Sequence, residues 1–440
     1  MKRLHKTLIA LTAVGLLTTA CSDPGGGSDD SGTKKTASAW PAETAKLDGV
    51  NLTIWAAQNS NAVAKQVAAD FEQKTGAKIK IVTVPDPYEQ SVQTKVASGD
   101  KPDLAFWQPT ASQLTAINAK QNLQSLDGAP FIDKYKPALK DSTGILDKTR
   151  YAALVTVPAV EGVWYNKEVF AKYGITDTPK NFDEMVADAK TIKAKGGVPF
   201  YEMGGDKWAT QWWVQVQLAD AAKAGLWDKV NKNEEKFTDP TILDAIKRYK
   251  SLVDEGLFNK NYASATFVDQ SKALLDGDAA MAIQVNTFFS QMQAQSDTAE
   301  LNKKIGFFPI SPKGNVGTVI PDQSNALVAF KTGDAKREAA ARQFLSYWMG
   351  SAYPGFIKSL NTVSIQEGVD TPATVPEALS ANADSIGNSV GSMQVLAVVN
   401  PDLYLNLANM LAGQASPSKV AETTQAQFAQ LAQAIGTPGF

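Results

Sequence analysis

Apolar positions define the first elements of the chain. Leu52, Ile54 and Trp55 fall in a short run closing at Ala56, which reads as a strand. Val63, Val67 and Phe71 then recur at helical spacing up to Lys74-Thr75-Gly76, and over 78–84 lysine and isoleucine alternate before the run turns apolar. Strand, helix, strand is the unit from which a parallel sheet grows. Lys101-Pro102-Asp103 leads into a third strand, Leu104-Ala105-Phe106-Trp107. Farther on, Asn181 with Glu184 three residues later marks a helix start. Met185, Val186, Ala189 and Ile192 form that helix's buried stripe, and Gly196-Gly197 closes it. Helices are also predicted over 243–252 and 335–349, and at the C-terminus from Val420, Phe428, Leu431 and Ile435. No repeat of roughly 20 to 50 residues and no sustained heptad pattern interrupts this order.

The opening is patterned differently. Lys2, Arg3 and Lys6 precede an uncharged, mostly apolar run over 7–17, and Thr18-Thr19-Ala20 stand just before Cys21. That is the layout of an export signal, and its apolar run is shorter than the roughly 20 residues a membrane span needs. Leu17-Thr18-Thr19-Ala20-Cys21 resembles a bacterial lipobox, which implies a signal peptide over 1–20 and a lipid on Cys21. The stretch that follows is rich in Gly, Ser and Asp and cannot bury enough apolar surface to fold. It reads as a tether over 21–47, with a root-mean-square span of roughly 28 Å.

Composition narrows the chemistry. The only histidine is His5 and the only cysteine Cys21, so the body beyond the leader has neither. Cysteine–histidine metal sites, Ser-His-Asp triads and Cys-His nucleophilic pairs are thereby excluded, as are disulfides within the body. The formal charge of −2 falls by three, to about −5, once Lys2, Arg3 and Lys6 leave with the leader. Arginine occurs only at 3, 150, 248, 337 and 342, widely scattered, which argues against nucleic acid and clustered phosphate as partners. No cofactor is expected.

With the elements placed, several stretches resemble the extracellular solute-binding proteins of ATP-binding-cassette (ABC) importers, the maltose-binding-protein-like carbohydrate-binding lipoproteins of family 1. The segments are the opening strand and helix ending Phe71-Glu72-Gln73-Lys74-Thr75-Gly76, Gly99-Asp100-Lys101-Pro102-Asp103-Leu104, and Val157-Pro158 followed by Val163-Trp164-Tyr165-Asn166-Lys167-Glu168-Val169-Phe170. Leu275-Asp276-Gly277-Asp278-Ala279-Ala280-Met281 and Ile305-Gly306-Phe307-Phe308-Pro309 complete the series, which covers about 50–435. The resemblance implies an α/β, two-lobed periplasmic-binding-protein fold (type II-like), with an interlobe cleft and a hinge near 157–160 and 330. One lobe is expected from 48–157 plus 270–330, the other from 158–269 plus 331–440. It further implies a sugar, a di- or oligosaccharide, as ligand and the membrane subunits of an ABC permease as partner. The location implied is the outer face of the cell membrane, held there by the lipid alone.

A sugar offers planar hydroxyls and apolar ring faces, so its site needs aromatic platforms and planar polar groups. Nine tryptophans are available, and Trp208, Trp212 and Trp213 cluster after Gly204-Gly205. Trp208 and Trp212, spaced i, i+4 on one face, are the expected platform; Trp213 turns elsewhere. Ligands of open α/β sheets meet loops at the carboxyl ends of strands, which selects Gln58, Asn59, Trp107 and Gln108. Glu161, Asn286 and Asp322 complete the candidates. In the family many members carry a Gly and then a Trp near Asn286; here the run is Val285-Asn286-Thr287-Phe288-Phe289, and whether Phe288 supplies the aromatic face is open. A peptide or other polar solute in the same fold is the first alternative. A secreted glycoside hydrolase, needing only two carboxylates, is the second, although no acidic pair flanked by aromatics stands out.

Overall fold

The computed structural model describes residues 40–57, 60–85 and 88–440, without the side chain of Ser290. The leader, Cys21, most of the expected tether, Gln58 and Asn59 lie outside the described residues. Residues 40–47, expected as the end of the tether, lie against the body: Trp40 meets Phe131 edge to face at 5.7 Å, and Leu47 joins the core. Apolar anchors at both ends of this stretch hold it there.

Two main sheets are built from β1 (Asn51–Ala56), β2 (Lys78–Thr83), β3 (Leu104–Phe106), β4 (Ala152–Leu154), β5 (Ala159–Asn166), β6 (Met281–Gln284), β7 (Ile305–Phe308), β8 (Gly317–Ile320), β9 (Ala326–Ala329) and β10 (Ser389–Gly391). The first runs β2-β1-β3-β9-β4, with β1 parallel to β2 and β3, and β9 antiparallel to β3 and β4. The expected strand, helix, strand unit is therefore present, in a mixed sheet. Its helix, Lys65–Thr75, ends where Gly76 turns left-handed at φ +83 and donates its N–H to the carbonyl of Glu72. In the second sheet, of order β10-β8-β5-β6, β7 also pairs with β5.

The lobe ranges expected from sequence are corrected by these pairings. Strands β6, β7 and β8, expected with the first lobe in 270–330, pair with β5 or lie beside it in the second sheet. Conversely, the helix Ala335–Met349, expected in the second lobe, covers the first sheet: Phe344 packs on Phe71 at 5.2 Å and Trp348 on Phe106 at 6.2 Å. Residues 365–367 bond backbone to backbone with 134–136, still on the first lobe. From Glu377, whose N–H reaches Asn302 Oδ1, the chain rejoins the second. The chain passes between the lobes at 155–158, at 321–325 and again between 367 and 377; the second passage precedes the expected position near 330.

Strand β5 is buried on both faces, as alternation requires. Val160 and Trp164 point into a hydrophobic cluster continuous with the first lobe, while Ala159 and Val163 point into a second cluster under the helices Phe182–Ala194, Trp212–Lys223 and Pro240–Asp254. The first of these starts where expected, with Asn181 Oδ1 accepting the N–H of Glu184 over 2.9 Å. Among the described residues, no helix is long and apolar enough to cross a membrane.

Candidate ligand-binding cleft

A cavity of about 500 Å³ opens beside the crossings. Its first-lobe side is Gln108, on the loop after β3; its crossing side is Pro321, Asp322 and Ser324; its second-lobe wall is Trp208, Trp212 and Phe267, with Val285, Thr287 and Gln291 at the edge. Ala159 and Ile320, opposite one another in β5 and β8, form the floor.

Local geometry explains each wall. Residues 208–211 form a 3-10 turn that runs into the helix Trp212–Lys223, so Trp208 and Trp212 stay on one side, with rings 6.1 Å apart and inclined at 68°. Trp208 is half-buried and meets Phe267 at 5.4 Å, while Trp212 is buried but for its cavity edge. Trp213 turns into the lobe, stacked on Tyr249 at 5.8 Å with an interplanar angle of 8°. Asp322 caps its own short turn, accepting from Ser324 N over 2.8 Å. Gln108 Nε2 donates to Pro321 O over 2.9 Å, tying the first-lobe loop to the crossing strand.

Of the residues singled out in the sequence, the structure brings together Gln108, Trp208, Trp212 and Asp322. Trp107 is not on the cavity: it is fully buried, with its indole donating to Gln113 O over 3.1 Å. Asn286 is half-buried between two lining residues and is itself outside the lining. Phe288 does not present an open face either, packing between Trp164 and Phe267 at 6.3 and 5.9 Å. Glu161 lies one step below the floor, on the same face of β5 as Ala159 and opposite Thr318. Burial pushes its carboxyl well above the usual carboxylate range.

Phe267 escaped the sequence reading. It opens a helix behind a Thr266–Asp269 capping box, and nothing local distinguishes a first-turn aromatic that faces a cavity from one that packs. The described lining combines aromatic rings with polar side chains. Among the described residues it holds one carboxylate, Asp322, and neither lysine nor arginine, and no group of three or more His, Cys, Asp or Glu there is suited to a metal. A second hollow of about 740 Å³, bounded by Gln113, Asn400, Tyr404 and Gln427, lies alongside. Tyr404, on its rim, accepts through its backbone carbonyl from Thr210 Oγ1 over 2.9 Å, two residues before Trp212 of the first cavity.

Comparison with known proteins gives a family match over residues 56–353, to the model described as bacterial extracellular solute-binding protein. The multiple sugar-binding protein of Streptococcus mutans is 25% identical over 315 residues, covering 70% of this chain and 72% of the relative. The diacetylchitobiose binding protein DasA of Streptomyces coelicolor is 26% identical over 448 residues, covering 97% and 98%. Among solved structures, a chitin oligosaccharide binding protein superposes with a TM-score of 0.72 at 23% identity, over 87% of this chain and 99% of that one. The two-lobed fold is thus shared.

Proposed function

The chain belongs to the bacterial extracellular solute-binding proteins, and from that membership we propose that it captures a neutral sugar, a di- or oligosaccharide, between its lobes and delivers it to the membrane subunits of an ABC importer. The observation that carries this reading is the composition of the cavity: an aromatic wall of Trp208, Trp212 and Phe267 facing Gln108, Asp322 and Ser324 across about 500 Å³. Flat rings suit the apolar faces of pyranoses, and amide and carboxylate oxygens suit their hydroxyls. A peptide or amino acid would bring both a cation and an anion, and among the described residues the lining offers no cation to pair with the anion. A glycosidase would need two carboxylates about the substrate, and among the described residues the lining supplies Asp322 alone. The names of the relatives in Streptococcus and Streptomyces agree with a glycan, and the neighbouring hollow gives room for more than one ring.

In this reading the first lobe comprises 40–157 and 326–367 and the second 159–320 and 377–440, and Cys21 holds the chain at the outer membrane face through a lipid. Cys21→Ser then releases the protein into the medium; unchanged fractionation would refute the anchor. The sugar reading is tested by a thermal-shift screen of the body against mono-, di- and oligosaccharides, amino acids and short peptides, since a ligand of the folded state raises its melting point. A shift with neutral glycans is expected. A shift only with peptides or amino acids overturns it.

A further inference from the structure

Two loops of the second lobe converge on one buried carboxyl. Glu202 is 1% exposed, and the groups around it are uncharged donors. Tyr249 Oη donates to Oε2 over 2.8 Å, Met203 N to Oε1 over 2.9 Å, and the Trp213 indole also donates to the carboxyl. Its backbone is clasped by a single side chain: Asn259 Oδ1 accepts from Glu202 N over 2.8 Å, and Asn259 Nδ2 donates to Glu202 O over 3.2 Å.

From this anchor both loops run to the cavity. Gly204 N donates to Tyr262 O over 2.8 Å and Gly205 N to Ala265 O over 3.0 Å. A Cβ on Gly204 would stand 2.7 Å from Tyr262 O, and one on Gly205 2.6 Å from Ser264 O, so the two backbones touch as only glycine permits. The Asp206 carboxylate then accepts from Phe267 N over 2.6 Å. The loops end at Trp208 and Phe267, the paired rings of the cavity wall.

Apolar packing alone does not call for an acid here, since burying one is costly. An ionised carboxylate is acceptor-only and fits three converging donors. Once protonated, its O–H needs an acceptor that neither the indole nor the Met203 amide can provide; only the Tyr249 hydroxyl can turn, surrendering its own donation. We propose that Glu202 is the positioning residue of the Trp208–Phe267 wall and that its ionised form seats this wall for the solute. Burial pushes the carboxyl up to about 7, which puts the change of state near neutrality. The other titratable group turned toward it is Tyr249, whose hydroxyl burial and the carboxyl hold well above its ordinary range; Tyr262 in turn acts on Tyr249. The seating of the wall is a property of the chain by itself; its effect on a solute rests on the sugar-cleft reading.

The test compares the whole protein with Glu202→Gln. Hydrogen exchange of the amides at 203–208 and 259–267, corrected for intrinsic rates, is expected to be about tenfold faster in the variant at pH 8, the loss of a hydrogen-bonded charge, with the helix Lys65–Thr75 unaffected. The parent should lose the same protection between pH 8 and 6 while the variant stays flat, and Kd for the probe diacetylchitobiose should follow the same two profiles. If diacetylchitobiose binds neither protein, the exchange data alone judge Glu202, and it is the choice of solute that fails. Parental protection in both loops, or a lower melting point with a parental pH profile, overturns the proposal. Should Glu202→Gln not fold, Tyr249→Phe keeps the stacked ring and the acid while removing one donor. It should loosen the same loops and move the profile to higher pH; an unmoved profile is equally fatal.

Discussion

Glu161 and Thr318 stand opposite one another in β5 and β8, both buried, and none of their side-chain oxygens has a hydrogen-bond partner among the described residues. They lie two residues along the same face from Ala159 and Ile320, the floor of the cavity. A buried acid so placed is an unusual cost for the fold.

The pH dependence of that cost has a definite sign. The folded chain binds the Glu161 proton more tightly than the unfolded chain, because burial raises its pKa. Its contribution to stability is complete below the unfolded carboxylate pKa and declines as pH rises from there toward the folded value. Glu161→Gln should therefore melt above the parent at about pH 8, with the difference vanishing toward about pH 4. It should also bind solute more weakly. Melting curves that differ equally at both pH values would contradict the assignment, and unchanged affinity would remove Glu161 from the solute's surroundings.

Trp208 and Trp213 should respond oppositely to truncation. Trp208 presents its ring to the cavity, so Trp208→Ala should weaken binding about tenfold or more, with the fold intact. Trp213 is 1% exposed among Phe200, Tyr249 and Phe258, so Trp213→Ala should lower stability by about 3 to 5 kcal/mol. Calorimetric titration and melting separate the two; a Trp208→Ala variant that melts early but binds normally would reassign that ring to packing.

Arg337 holds the first lobe through Asp103. Its guanidinium donates to Asp103 Oδ2 over 2.8 Å, and the same oxygen accepts from Thr53 N over 2.7 Å, linking the helix Ala335–Met349 to β1. The arginine side chain is 37% exposed and the aspartate 0%, so solvent screens the cation more than the anion. Arg337→Ala leaves a buried carboxylate short of a partner and should cost about 1 to 3 kcal/mol in urea unfolding, with solute affinity kept. An unchanged urea midpoint would show that Thr53 alone suffices.

Closure of the lobes is expected on solute binding, since a cleft lined from both sides favours the form in which both sides touch the guest. Small-angle scattering should give a smaller radius of gyration at saturation. A tightly bound solute that leaves the curve unchanged would exclude closure about 155–158 and 321–325.

How much could be read in advance follows from the range of the forces involved. The helix behind Asn181 was legible because its cap is made three residues away, and the Trp208–Trp212 pair because its spacing is a local property. Lobe membership was not. Strands β6, β7 and β8 are short apolar runs that would suit either sheet, and only their pairing about β5 decides between them. Glu202 and Phe267 were missed for the same reason: their setting comes from partners 47 and 61 residues away, Tyr249 for the acid and Asp206 for the ring's backbone. Trp107 shows the reverse error, a residue at the carboxyl end of a strand whose indole finds its partner six residues on and turns inward.

Asn325 joins two of the crossings, 155–158 and 321–325. Its Nδ2 donates to Thr156 Oγ1 over 3.0 Å and to Val157 O over 3.1 Å, and its carbonyl accepts from Val155 N over 2.8 Å. Two separate strands could slide past each other and let the lobes shear; strands cross-linked in this way bend together as one ribbon. Any relative movement of the lobes must then carry both segments together, so the pair acts as one hinge element beside the third passage between 367 and 377.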